Sequence, residues 1–485
     1  MLDRPIRWHD YLTINSFWLG LTALSQTMTP LVIPLLVQGF VGSSQQGTYY
    51  GNLRLWTLMT ALLVQALMGM LSDHSHSRFG RRRPFIFAGT LGVSVVVLLI
   101  GLSARLEGET GYWVLFGLAI VMMIASNTAH GAVQGLIPDL VPEDKRGRFS
   151  GIKALLEVPI PVILVSYTIA RLVGQGNLWG GLWALVAILM TSMAITMLAP
   201  ERPNPAAPEP LDWQPFLRLL LMTGAFTLII LVIGAVIRAT GQLIPRIPQA
   251  NPVLVLGLVG LLAMLAAVVL GVRASVKIGL GSLEQENRAF TWWIINRLAF
   301  LIGSTNLASF TVYFLQARMG LANEKAVGPA ATLVMFVGIF ILLSAFPSGW
   351  LADRIGRKPL VAASGIIAAL GTLIVILAPG LTVIYAGGIL IGIGTGLFYA
   401  SNWALGTDII PHAQAGRFFG ISNLAGAGAG AIGAYIGGPI ADYLSSTAPD
   451  LPGFGYILLF VLYMLLFLFS TLALRGVKTE AYKPA

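Results

Sequence analysis

Fourteen apolar runs, each about 20 residues long, govern what this chain can fold into, because that is the length an α-helix needs to cross the hydrocarbon of a bilayer. Six lie near 13–38, 50–71, 84–104, 112–136, 152–172 and 179–199. Two more, near 216–237 and 252–272, follow the segment ERPNPAAPEP at 201–210, whose prolines stop helices and mark a linker. Six again lie near 290–316, 328–349, 359–379, 382–405, 417–441 and 455–474. Only 10% of the 485 residues are charged, against roughly 25% in globular chains, so a soluble core is excluded. The expected fold is an all-α membrane protein with 14 transmembrane helices.

The net charge of +10 raises nucleic acid as a partner, but the basic residues fall in short loops between the runs, where membrane topology puts them. With the N-terminus inside, 22 of the 30 Lys and Arg are cytoplasmic. Seven are outside, namely Arg54, Arg105, Arg171, Arg238, Arg246, Arg318 and Lys325, and Arg297 sits within a span. This bias predicts both termini on the cytoplasmic side of a plasma (inner) membrane, provided that the runs near 216–237 and 252–272 form a true hairpin. Met1 to Asp10 is polar and no small-residue cleavage site follows, so the first run is expected to remain in the mature protein. The absence of cysteine excludes disulfides, thiolate metal sites and thiol catalysis. No cofactor or metal is expected, and the partners expected are membrane lipid and a small solute, with a proton as a candidate co-substrate, for a monomeric protein.

Two motif pairs reveal an internal repeat. GMLSD at 69–73 leads to RFGRRRP at 78–84, and GWLAD at 349–353 leads to RIGRKP at 354–359. DLVP at 139–142 with GRFSG at 147–151 matches DIIP at 408–411 with GRFFG at 416–420 at identical spacing. The separation between the two motifs is 66 residues in the first copy and 55 in the second. Two copies of a six-span unit account for this order, giving bundles at 1–200 and 286–485 around a two-helix insert at 201–285.

The glycine-aspartate-arginine loops resemble the signature of the major facilitator superfamily between its second and third helices. That resemblance implies two six-helix bundles around a central cavity opened alternately to either side; an enzyme is not expected, because no HExxH, clustered catalytic carboxylates or nucleophile elbow appears. It also implies a cytoplasmic gate. The first copy would supply Asp73, Arg78, Gly80, Arg81, Arg82, Asp139 and Arg148, and the second Asp353, Arg354, Gly356, Arg357, Asp408 and Arg417. Arginines there can bind carboxylates or helix C-terminal carbonyls, or serve only as topological anchors. The longer first loop, with SRFGRRRPFI, resembles sucrose and other glycoside carriers, and Asn127, Gly131 and Asp139 fall where that group has Asn, Gly and Asp. Met123 stands where those carriers have a proton-linked aspartate, and the first span lacks the acidic residues of sodium-coupled melibiose-type relatives.

Polar residues within spans tend to face protein or water and mark pathways. Asn15, Trp18, Thr22, Gln26 and Thr29 recur every three or four residues, as do Asn127, His130 and Gln134 in the fourth span. Asn306, Ser309 and Tyr313 repeat the spacing, and so do Thr395, Tyr399 and Asn402, with Trp403 adjacent. Amides, hydroxyls and aromatic rings suit a polyol, while interhelical hydrogen bonding without a ligand is the plainer alternative. Glu157 lies one turn after Lys153, as an i, i+4 pair or a proton site, and His130 is a proton site or a donor to a helix carbonyl. Arg297 either snorkels to the interface or holds an anionic solute. Gly426, Gly428, Gly430, Gly433, Gly437 and Gly438 predict close helix packing rather than a dinucleotide loop, since no strand precedes them. Three functions stay open: a secondary carrier of a small polar solute, with a saccharide or glycoside as the candidate; a proton-driven exporter of amphipathic compounds; and a non-transporting membrane assembly or sensor.

Overall fold

A computed structural model describes residues 6–201, 210–244, 251–281, 287–410, 415–447 and 453–477, of which 415–417 as backbone alone. Among them, thirteen helices are long and apolar enough to cross a membrane, and a bent pair makes a fourteenth span. In chain order α1 is Trp8–Val41, α2 Gln46–Asp73, α3 Arg83–Ser103, α4 Gly108–Leu140, α5 Glu143–Gly174, α6 Leu178–Thr196 and α7 Gln214–Leu243. Then come α8 Pro252–Leu280, α9 the pair Arg288–Ser309 and Thr311–Met319, α10 Glu324–Ile355, α11 Arg357–Leu377, α12 Leu381–Ile409, α13 Phe418–Thr447 and α14 Phe454–Gly476. The expected count and class therefore hold. Many helices outrun their apolar runs, because only the hydrocarbon stretch must be apolar; α2 continues to Asp73.

Two distortions have local causes. A π-helical turn at Met28–Val32 interrupts α1, where Pro30 and Pro34 each remove an amide donor. α9, a single straight run in the sequence reading, bends 61° at Phe310. Thr305, Ser309 and Thr311 each donate to the carbonyl four residues back, at 2.6, 2.9 and 2.6 Å, and such back-bonding bends helices. Tyr313 is thereby carried off the line of Asn306.

The chain forms two compact units, Met1–Val41 with Thr60–Leu217 and Asn323–Ala331, and Gly42–Met59 with Arg218–Ala322 and Thr332–Ala485. In the first, α1 packs on α5 and α6, and α3 on α4 and α6. Glycine sets the closest approaches: a Cβ at Gly131 of α4 would stand 2.7 Å from the Gln65 carbonyl and 2.8 Å from the Gly69 amide of α2. Gly69 opens the first repeat motif, so part of that motif serves helix contact.

In the second unit α11 lies along α12, and a Cβ at Gly371 or at Gly387 would meet the other's carbonyl at 2.7 Å. α9 packs on α13 and α14. The glycines of α13 are where neighbours press in: Gly428 against Phe226, Gly430 against Leu58, Gly433 against Asn306, Gly437 against Leu459 and Gly438 against Gly47. The inserted helices use the same seam. Gly260 and Gly271 of α8 receive Ile440 and Phe226, and Arg238 of α7 donates to the Tyr435 hydroxyl at 2.6 Å.

Candidate functional site

The first motif loop turns at Gly80, whose φ of 104° only glycine adopts without strain, and α3 then starts with a proline in its first turn. This brings Arg82 inward, where it is 5% exposed. Its guanidinium pairs with Asp73, donates from Nε to Asp139 at 2.9 Å and from Nη1 to Ser72 at 2.6 Å. Arg81 adds a second contact to Asp139 at 2.7 Å. A Cβ at Gly135 of α4 would fall on the Arg82 guanidinium, so that glycine makes its room. The cluster thus ties the end of α2, the start of α3 and the end of α4.

Glu201 completes it, accepting the amides of Arg82 and Arg83 at 2.7 and 3.1 Å. A carboxylate suits a helix N-terminus because four amides there lack helical partners. Glu201→Gln is expected to lower stability by about 1 kcal/mol, the size of a lost charged cap, read as a lower melting temperature; an unchanged melt would show that the cap contributes nothing. Arg78 lies instead over the ring of Phe79, and Arg148 is exposed. The neighbouring Arg146 donates to the carbonyls of Pro138 and Val141 at 3.1 and 3.2 Å, where Arg148 was the residue expected to contribute.

The second copy repeats the geometry in part. Gly356 has φ 93°, and Arg357 pairs with Asp408 while donating to the Ala404 carbonyl at 2.9 Å. Arg354 packs over Trp350 at 4.1 Å, and Asp353 is exposed with no ion pair among the described residues. The Arg417 side chain lies outside the described residues.

Within the first unit, the polar stripes of α1 and α4 meet α5 around Trp18. Lys153 Nζ stands 3.7 Å over the indole, His130 meets it edge-on at 5.4 Å, and Glu157 lies 3.5 Å from Lys153. Gln134 reaches to 3.4 Å from the His130 ring. Trp18 Nε1 is buried without a partner, as is Asn15 Oδ1. The Asn15 amide nitrogen is spent on the Tyr11 and Phe149 carbonyls, and that of Asn127 on the Met123 carbonyl at 2.9 Å. Thr22 and Gln26 are partly buried further along α1.

Within the second unit, a directed chain of amides crosses three helices. Asn296 donates to the Ser470 carbonyl at 2.8 Å, Asn402 donates to Asn296 Oδ1 at 2.8 Å, and Arg297 donates to Asn402 Oδ1 at 3.0 Å. Trp293 and Trp403 place their rings 5.8 and 5.6 Å from the guanidinium, and Trp403 stacks on Phe419. Tyr399 and Trp403 keep 39% and 43% of their surface exposed beside it. Asn306 and Tyr313 are elsewhere. Asn306 bonds the Ile302 and Ala429 carbonyls, and Tyr313, beyond the bend, is fully buried among Tyr50, Phe310 and Tyr456.

Sequence reasoning passed over Ser72, Glu201, Arg146, Asn296 and Asp442. Asp442 is 5% exposed and accepts the amides of Gly47 and Thr48 at 2.9 and 2.6 Å. A carboxylate closing the glycine-rich run was the available signal.

The chain belongs to the major facilitator superfamily, whose profile matches residues 16–322 and 294–484. Its described helices are long and apolar enough to embed it in a membrane. Over 105 residues, 18% of this chain and 19% of the relative, it is 33% identical to the sucrose transport protein SUC4 of Arabidopsis thaliana. Over 103 residues, 18% of this chain and 17% of the relative, it is 36% identical to the sucrose transport protein SUT4 of Oryza sativa subsp. indica. The matches thus cover about a fifth of these relatives. Among solved structures it is similar to the POT family transporter PepTSo, with a TM-score of 0.66, 12% identity and coverage of 98% of this chain and 99% of that one. A D-xylose-proton symporter gives 0.61, 14%, 96% and 95%, and the nucleoside transporter NupG 0.62, 10%, 97% and 99%, likenesses of fold alone.

Proposed function

We propose that this protein is a secondary carrier of a small polar solute of the saccharide class, working by alternating access of its two six-helix repeats, 1–200 and 286–485, with 201–285 as an accessory insert. The observation that carries the reading is the meeting of α1, α4 and α5 around Trp18, where an indole, an imidazole, a primary amide and a Lys–Glu pair come together. Hydrogen-bonding groups of both polarities beside an aromatic face match a polyol ring, and a lipophilic solute would not need them. The similarity to sucrose transport proteins over one segment supports the same class.

In this reading the Arg82 and Arg357 clusters latch the cytoplasmic side, both termini are cytoplasmic, and the carrier is a monomer in the plasma (inner) membrane. The bias of 22 basic residues against seven supports that orientation. Glu157, 3.5 Å from Lys153, is the candidate coupling site for a co-transported proton. The test is a thermal-shift screen of purified protein against sugars, nucleosides, organic anions and drugs, since a ligand that binds only the folded state raises its melting temperature. Stabilisation by a saccharide is expected; a response confined to lipophilic cations would sink the substrate class.

A further inference from the structure

Arg297 lies nine residues into α9, about 14 Å along the helix from Arg288. A cation at such depth is costly unless it has a partner or a task. Its guanidinium is bonded to Asn402. The chain of amides from Ser470 through Asn296 to Asn402 fixes which face of Asn402 presents oxygen, and that oxygen takes one N–H of Arg297. The relay stops there. Nε is buried without a partner, and no carboxylate lies within ion-pair distance of Arg297 among the described residues. Snorkelling leaves the head in water at the interface; here it is held by a buried amide between two indoles.

A second guanidinium in the same unit, Arg54, is 8% exposed with its Nε also unpartnered and has no ion pair among the described residues. The one deeply buried carboxylate described in the unit, Asp442, is occupied by backbone amides. Among the described residues, neither guanidinium has a carboxylate within ion-pair distance.

We propose that the solute carries a carboxylate or phosphate group and that Arg297, aimed by Asn402 and flanked by Trp403, is the residue that receives it. The inference rests on the carrier reading above. An oxyanion would accept from the unpartnered Nε edge of the guanidinium in the paired geometry that arginine favours. The exposed faces of Trp403 and Tyr399 would lie against the body of the solute.

The test is a thermal-shift titration of full-length wild type, Arg297→Gln and Arg297→Lys with sucrose, D-glucuronate and glucose 6-phosphate. At least one anion is expected to stabilise the wild type, with apparent affinity falling at least tenfold in Arg297→Gln. Arg297→Lys should keep only part of it, because the charge remains and the planar fork is lost. Response to glucuronate alone assigns a carboxylate, and to glucose 6-phosphate alone a phosphate. Equal stabilisation of wild type and Arg297→Gln by sucrose, with neither anion active, would overturn this inference and leave the saccharide reading intact. Silence with all three overturns both. Should Arg297→Gln not fold, anion affinity undiminished in Arg297→Lys would itself contradict the fork.

Discussion

Arg82→Ala is expected to destabilise the protein by about 2–4 kcal/mol, toward the lower side of what removing one partner of a buried ion pair costs. The arginine is 5% exposed, but Asp73 and Asp139 keep 52% and 23% of their side chains in contact with solvent, which screens the charges left behind. The loss would also free three elements at once, since Asp73 ends α2, Asp139 lies in the last turn of α4 and Arg82 directly precedes α3. Arg82→Lys should recover less than half, because an ammonium cannot reproduce contacts made through Nε, Nη1 and Nη2 together. Melting of the purified protein in detergent measures both; equal melting of wild type and Arg82→Ala would show that the cluster has no structural weight.

Asp442→Ala is expected to cost about 2–4 kcal/mol by a different route, the loss of a charged acceptor from buried donors. The carboxylate takes the amides of Gly47 and Thr48 and stands 3.4 Å from the Tyr456 hydroxyl. α2 begins at Gln46, so these amides are among those with no helical acceptor. The helices approach closely here, since a Cβ at Gly47 would stand 2.7 Å from the Gly438 carbonyl. Asp442→Asn retains one acceptor oxygen and should fall between the two. Faster hydrogen exchange at Gly47 and Thr48 in Asp442→Ala, without change at α11 and α12, would localise the effect; unchanged exchange would refute it.

The spans and the repeat were legible because bilayer thickness imposes a length and a composition on every helix, and because duplicated loops leave paired motifs. The Arg82 and Arg357 pairings with Asp139 and Asp408 follow the motif residues. Harder to read were contacts joining residues remote in sequence, such as Glu201 with the start of α3 and Asp442 with the start of α2, 118 and 394 residues apart at their shorter separations. Nothing local to either carboxylate names its partner.

Periodicity misled in one respect. Asn306, Ser309 and Tyr313 share a face on a straight helix, but the back-bonded hydroxyls that bend α9 separate Tyr313 from that face, and Asn306 is consumed by packing against α13. Conversely, Asn402 and Arg297, on different helices with no common spacing, are bonded directly, and Asn402 is oriented by Asn296, which no stripe included. Three-residue spacing reports a shared face; it does not report what the face meets.

The central claim, the proposal that this protein moves a small polar solute, is tested most directly by flux in proteoliposomes. Labelled saccharides, neutral and anionic, would be offered to vesicles preloaded with the same unlabelled compound. Saturable counterflow, competed by related saccharides and weakened by substitution of Trp18 or Arg297, is the expected result. Export of a lipophilic cation from the same vesicles, with no saturable flux of any saccharide, would contradict it.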